Sequence, residues 1–437
     1  MTYRRYALAA LTAVYTLNFV DRYLMLLLLQ PIKEDLQLSD TQLGFVTGIA
    51  FAVFYATLGI PIARWADRGN RVTITSWAIG LWGATVMACL LVTNYAQLVF
   101  SRIAAAVGES GCKPPTYSLV GDYFPEPPER TRAMGIYIAG ASLSALVSLI
   151  VGGWLNELYG WRITFFLMGI PGLILAVLVK LTIVEPRTLA SAAHMPQRAL
   201  PSMQAVLVTL WQRRSCRHLC IAVVLLYTMG AGLGPWYGAF LMRSHGMGTR
   251  ELSVWLGLIF GLGSTAGVLV GGYVSSRWFA NDARGQMRLS AVTVATLVLF
   301  FAAFLLLPQK HHALIALTPL VVVWGFFYGP SYALMQRLVA DEMRATMMAV
   351  LMLFANLIGM GVGPQVVGIL SDWLMPALGN DSLRYAMLVM AFVAPWGACH
   401  FWQVGQTVDE DLARVAQATA ARPAATGLHR SAPEPAR

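Results

Sequence analysis

Apolar residues come along this chain in long blocks separated by short polar connectors. That rhythm predicts helices that cross a bilayer, each needing about 20 mostly apolar residues. Twelve blocks are predicted, at 6–30, 42–63, 72–93, 97–120, 133–155, 162–184, 217–242, 252–276, 288–307, 313–337, 345–370 and 384–405. The exception among the connectors is 185–217, which holds Pro186, Pro196, Pro201 and several basic residues and splits the blocks evenly. The expected organisation is an N-terminal six-helix half (1–184), a linker (185–216), a C-terminal six-helix half (217–405) and a tail (406–437). The tail begins with helical character and ends rich in Ala, Pro and Arg, which reads as disorder.

Composition agrees with the block pattern. With 57% hydrophobic residues, 12% charged residues and a mean hydropathy of +0.61, the chain exposes more apolar surface than a soluble core could bury. An all-α integral membrane protein is expected. The first block follows Arg4, Arg5 and Tyr6 directly and shows no small-residue cleavage site, so it reads as a retained span. The 5 cysteines are odd in number and lie mostly inside apolar blocks, which argues against a disulfide framework. Cys216, His218 and Cys220 approach ligand spacing but read as a helix start, and no metal or other cofactor is expected.

Charge sets the orientation. Most of the 31 Lys and Arg residues fall on the side shared by the N-terminus, the even-numbered connectors and the tail. The positive-inside rule places that side, with both termini, in the cytoplasm, as for a bacterial inner-membrane protein. The net charge of +10 therefore reports topology and anionic headgroups, and nucleic acid is not an expected partner.

Five charges break the apolar pattern, Lys113 in the fourth block and four others. Arg102 and Glu109 lie deep inside the fourth block, and Asp21 and Arg22 inside the first. A charge near the centre of a membrane helix costs at least about 2.5 kcal/mol. At about 3.6 residues per turn, Arg102 and Glu109 share a helix face, which should look into a protein or water cavity. Counting depth from the block ends puts Asp21 level with Arg102, nearer the outside, and Glu109 near mid-membrane. An acid there can bind and release a proton as water access alternates, so Glu109 is the expected proton carrier and Asp21 its helper. Arg22 and Arg102 are fork-shaped donors suited to a carboxylate or phosphate. The competing reading is a structural ion-pair network that locks helices together.

The halves echo each other faintly. Ala66-Asp67-Arg68 after the second block parallels Ser275-Ser276-Arg277 after the eighth, and Gly153, Leu155 and Glu157 in the fifth parallel Gly368, Leu370 and Asp372 in the eleventh. Internal repeats with a site at their interface are a common transporter design. The turn ARWADRGNR, Ala63 to Arg71, resembles the loop signature of the major facilitator superfamily, Gly-x-x-x-Asp-Arg-x-Gly-Arg. Ala63 and Asn70 replace its glycines, while Asp67, Arg68 and Arg71 keep register. The resemblance covers about residues 1 to 405 and implies two pseudo-symmetric six-helix halves. Within the superfamily, NFVDRY (Asn18 to Tyr23), the segment running into ARWADRGNR, and GESGCKPPTYSLVGDYFP (Gly108 to Pro125) look most like the Spinster branch. That branch implies proton-linked export of lysolipids or sphingosine phosphate. The Asp-Arg pair and Arg-x6-Glu also resemble the anion:cation symporter branch, which moves sugar acids, and the charges alone do not separate the two.

The remaining candidates follow. Asp67 is expected at the start of span 11 near Ala345 and Arg344, where a helix N-terminus attracts an acid, as a latch that closes the inside with Arg68 and Arg71. Asn18, Trp236, Tyr237, Tyr328, Tyr332, Gln336 and Asn356 are polar-edged residues able to contact cargo by hydrogen bonding and stacking. A charged half facing an aromatic half suits an anionic amphiphile. A monomeric secondary transporter of a small-molecule or lipid-like cargo, with protons as partner, is the leading expectation. The chain lacks HExxH, GxSxG and a phosphate loop, so it does not read as an enzyme. A channel is the other class, and counterflow in liposomes separates it from a carrier.

Overall fold

Each apolar block folds as helix, because backbone in hydrocarbon must satisfy its own N–H and C=O groups. The computed structural model describes residues 2–186, 202–279 and 282–420. Among these, nine segments are long and apolar enough to cross a membrane. Two of them, Pro127–Thr182 and Thr346–Gln417, cross twice. The first folds back at Gly160 (φ 77°) and the second at Gly379 (φ 54°), left-handed backbone that glycine adopts without a Cβ penalty. Tyr95–Ser110 and Lys113–Tyr123 together form one more crossing, too interrupted and charged to stand among the nine. The result is twelve crossings in two six-helix halves, numbered here as spans 1 to 12 in chain order. The end of the bundle carrying the termini is called the near end and the opposite one the far end.

Spans 1, 4, 7 and 10 each change direction partway, after Leu17, Ser110, Leu233 and Phe326. Proline explains three of the breaks. A proline has no N–H for the carbonyl four residues back, so Pro114 and Pro115 release Ser110 and Gly111, Pro235 releases Ala231, and Pro330 releases Phe326. Span 1 bends without proline. There Thr12 Oγ1 and Thr16 Oγ1 donate to the Leu8 and Thr12 carbonyls at 2.8 and 2.9 Å and loosen the turn before the break. Spans 8 and 11 carry π-helical turns at Ile259–Gly263 and Ala355–Met360. In span 11, Asn356 Nδ2 donates to the Met352 carbonyl at 2.8 Å and so occupies an acceptor that the wider turn leaves underused.

The halves meet backbone to backbone at the far end. A Cβ added at Gly44 of span 2 would lie 2.6 Å from the Pro364 carbonyl of span 11, and one at Gly48 would lie 2.5 Å from that of Gly361. Gly368 of span 11 sits equally tight on Asp40, and Gly238 of span 7 on Leu26 of span 1. Small residues permit this closeness, which van der Waals contact rewards in a bilayer. Spans 5 and 8 meet through Gly153 on Ser253 and Gly257 on Ile150. These approaches all lie in the far halves of their spans, so the structure is closed at the far end.

The linker holds one described helix, Met203–Gln212, before span 7 starts at Arg214. Span 12 does not stop at 405: its helix runs to Ala420, and Asp411 accepts from the Ser215 N–H at 2.9 Å, tying the start of the tail to the foot of span 7.

Candidate functional site

The four buried charges form two ion pairs between spans 1 and 4. Arg102 Nη1 donates to Asp21 Oδ2, and both side chains are almost wholly buried. Arg22 reaches Glu109 Oε1 with Nε and Nη2, each at 2.7 Å. The break in span 4 after Ser110 lets Glu109 point back at span 1, while Asn18 Nδ2, in the break of span 1, donates to the Glu109 carbonyl at 3.2 Å. Each break thus supports the other. The pairs are incompletely satisfied: Asp21 Oδ1, Arg102 Nε and Glu109 Oε2 are buried without a hydrogen-bond partner among the described residues. Buried polar atoms are normally partnered, and such exceptions point to a ligand, a water or a function.

Aromatic rings frame the pairs. Phe51 of span 2 lies under both arginines, its ring centre 4.9 Å from each guanidinium carbon. Tyr55 and Phe19 flank Arg22 at 4.8 and 5.4 Å. Arg22 Nη1 also reaches Met360 Sδ of span 11 at 3.8 Å, a contact between the halves.

Beside the pairs lies a cavity of about 340 Å³. Phe19, Arg22, Phe51 and Arg102 supply its charged wall; Tyr227, Tyr237, Phe260, Phe301, Trp324 and Tyr328 supply an aromatic wall from the C-terminal half. All four broken spans contribute, since their bends turn side chains inward at mid-depth. The volume lies at the lower end of the range typical of small-molecule sites.

The sequence candidates divide. Arg22, Arg102, Tyr237 and Tyr328 line the cavity, with Asp21 and Glu109 immediately behind the arginines. The others lie outside the lining. Trp236 is fully buried in the far-end seal, its indole N–H donating to the Pro364 carbonyl at 3.3 Å. Gln336 is exposed and offers its carbonyl to Arg344. Tyr332 packs behind Tyr328 at 5.7 Å between ring centres. Asn356 accepts from Tyr227 Oη at 3.3 Å, one layer behind the wall, and Asn18 ties the two breaks together. Polar-edged residues on a span mark no particular depth or face, so depth and rotation decide these outcomes. Phe51, Tyr55 and Tyr227 carried no sequence signal, because a ring inside an apolar block looks like packing.

In this far-closed structure the loop residues occupy different settings. Arg71 is fully buried within its own half, where it engages Asp122 at 2.6 Å, Ser118 at 2.7 Å and Glu185. It is therefore not a solvated turn residue, and its contacts join the near ends of spans 3, 4 and 6. Arg68 is exposed, and Arg344 pairs with Asp341 at 2.8 Å in its own half. The side chains of Asp67 and Ala345 lie outside the described residues. Cys216 turns to the Leu338 carbonyl and His218 to His400, so that ligand-like spacing does not converge.

The profile of the Major Facilitator Superfamily matches residues 11–364. An MFS-type efflux pump of Mycolicibacterium smegmatis is 32% identical over 93% of this chain and 94% of its own length. A probable L-galactonate transporter of Escherichia coli is 24% identical over 90% of this chain and 88% of its own. The crystal structure of a bacterial homologue of the human lysosomal transporter Spinster, inward-facing and unoccupied, superposes with a TM-score of 0.82 at 27% identity, covering 94% of this chain and 98% of that one. With its twelve crossings, two halves and central cavity, the chain belongs to the major facilitator superfamily of transporters and shares its fold with a Spinster homologue.

Proposed function

We propose that this chain is a proton-coupled carrier that moves an anionic amphiphile, such as a lysolipid, by alternating access. One observation carries the reading: a cavity with paired arginines on one wall and aromatic rings on the other, backed by carboxylates that each keep one oxygen unpartnered. Arg22 and Arg102 take the anionic head, as bidentate donors do, while Tyr237 and Tyr328 face the apolar part. Glu109 carries the proton, with Asp21 as helper. When a cargo anion takes over an arginine, the carboxylate it leaves accepts a proton, so cargo and proton occupancy are linked.

In this reading the halves 1–184 and 217–405 rock about the cavity, joined by the linker 185–216, and the tail 406–437 follows the second half. The far end is the outside of a bacterial inner membrane, the termini are cytoplasmic, and the monomer is the working unit. In the inside-closed state Asp67 docks at the start of span 11 beside Arg344, with Arg68 as its neighbour. The contrary reading is symport of a small sugar acid, favoured by the likeness to the L-galactonate transporter. Uptake into proteoliposomes with and without a pH gradient decides between them. Saturable, gradient-dependent movement of lysolipid supports the proposal. Galactonate transport with no response to lysolipid supports the alternative.

A further inference from the structure

Three cations, separated by rings, descend through the N-terminal half toward the near end. Arg102 and Arg22 share Phe51, and Arg22 shares Tyr55 and Phe19 with a third cation, Lys113. Lys113 Nζ lies 4.4 Å from the centre of the Phe19 ring and donates to Tyr55 Oη at 2.8 Å. On span 4, Arg102 and Lys113 are eleven residues apart across the break after Ser110, at most roughly 16 Å along the span, so the ladder covers up to about half the membrane.

Charge does not balance along it. Asp21 answers Arg102 and Glu109 answers Arg22, but no carboxylate lies within ion-pair distance of Lys113 among the described residues. Lys113 also opens the helix Lys113–Tyr123, where the backbone dipole is positive and favours an anion over a cation. Rings can hold an ammonium by its quadrupole attraction, but they do not neutralise it. Because Tyr55 Oη accepts from the ammonium, its own O–H is free to donate to a third group at the same place. Glu109, four residues before Lys113, feels its charge but spends its contacts on Arg22, so an ammonium and a hydroxyl donor at a positive helix end keep a surplus charge and form the donor set of an anion site.

We propose that Lys113, with Tyr55, is a binding site for the anionic group of the cargo, on the near side of the arginine pairs. A carboxylate or phosphate arriving from the near end docks there before passing to Arg22. One negative charge on the cargo then balances the three cations and two carboxylates of the cluster. The inference rests on the anionic-cargo reading above and adds a residue that the arginine pairs do not require.

The test titrates decyl phosphate or glucuronate into the full-length protein in dodecyl maltoside micelles and reads the thermal unfolding midpoint, with decanol as the uncharged control. Whichever anion binds the wild type should bind Lys113→Gln about tenfold more weakly, the loss expected for one charged hydrogen bond, while Lys113→Arg stays near wild type. A response confined to decyl phosphate names a lipid-like source, and one confined to glucuronate a sugar acid. Equal affinity in Lys113→Gln and wild type overturns the proposal while leaving the anionic-cargo reading intact. A wild type that responds to neither anion overturns both. Should Lys113→Gln fail to fold, Tyr55→Phe keeps the ring and the lysine but removes the hydroxyl. Unweakened binding in that variant overturns the proposal equally.

Discussion

Arg243 of span 7 grips Asp40 of span 2 with both ends of its guanidinium, Nη1 to Oδ2 and Nη2 to Oδ1 each at 2.7 Å. Asp40 is fully buried and also accepts from Lys33 at 2.6 Å and from Ser371 at 2.6 Å, so one carboxylate ties both halves at the far end. Asp372 of span 11 adds a crossing in the other direction, accepting the Asp40 and Thr41 N–H groups at 3.0 and 2.7 Å. Breaking a buried pair by removing one partner costs about 3–5 kcal/mol. Asp40→Asn should therefore destabilise the far-closed state and expose the cavity to the far side. The measurement is labelling of Thr47→Cys, a cavity position, by an impermeant thiol reagent from that side, with the exposed native Cys399 replaced. Unchanged labelling would show that Asp40 does not hold the gate.

Glutamine at position 109 keeps the shape and hydrogen bonding of the acid but has no proton to exchange. Glu109→Gln should abolish accumulation driven by a pH gradient while preserving exchange of cargo across the membrane. Asp21→Asn should weaken both, because it leaves Arg102 buried without its carboxylate. If Glu109→Gln still concentrates cargo with wild-type pH dependence, coupling moves to Asp21.

Glycine at 238 admits the Leu26 carbonyl where a side chain would stand. The obstacle is backbone, so it does not yield by a rotamer change. Gly238→Ala should wedge spans 1 and 7 apart and shift the population toward the far-open state by about tenfold or more. Spin-label distances between the far ends of the two spans would show it, and an unchanged distribution would refute it.

The two arginines of the near-end turn should separate cleanly. Arg71→Ala removes the buried guanidinium that answers Glu185 and Asp122, leaving Glu185 its remaining contacts such as the residue-71 N–H, and should lower stability by about 3 kcal/mol in thermal unfolding. Arg68→Ala, at an exposed position, should fall within about 0.5 kcal/mol of wild type. Asp67→Asn should slow transport with expression near normal, and unchanged turnover would remove its latch role.

The twelve crossings were legible because a membrane enforces long apolar blocks, and Asp21, Arg22, Arg102 and Glu109 were legible because charge inside such a block has no bland purpose. Their pairing was less so. Asp21 takes Arg102, which its matching depth made plausible, but neighbours on a helix point about 100° apart, so Arg22 turns to a different partner, Glu109, which shares a face with Arg102 and gave no sign of it. The far-end gate was missed because Asp40 and Arg243 sit at span ends, where charges ordinarily mark only the water boundary. Lys113 was visible as a membrane cation, but Tyr55 and Phe19, 58 and 94 residues away in sequence, give it meaning only once the helices pack.

A π turn holds one residue more than the α-helix it interrupts, and the turn at Ala355–Met360 lies just before the glycine face that meets span 2. The wide turn takes up that extra residue and so keeps the helix after it in phase with the helix before it. Deleting one residue between 355 and 360 would remove the wide turn and leave Gly361 and Pro364 facing Gly48 and Gly44, whereas deleting one from the plain helix between 346 and 354 would swing them by about 100°. The length of span 11, and not only its side chains, therefore encodes which state the carrier is able to close.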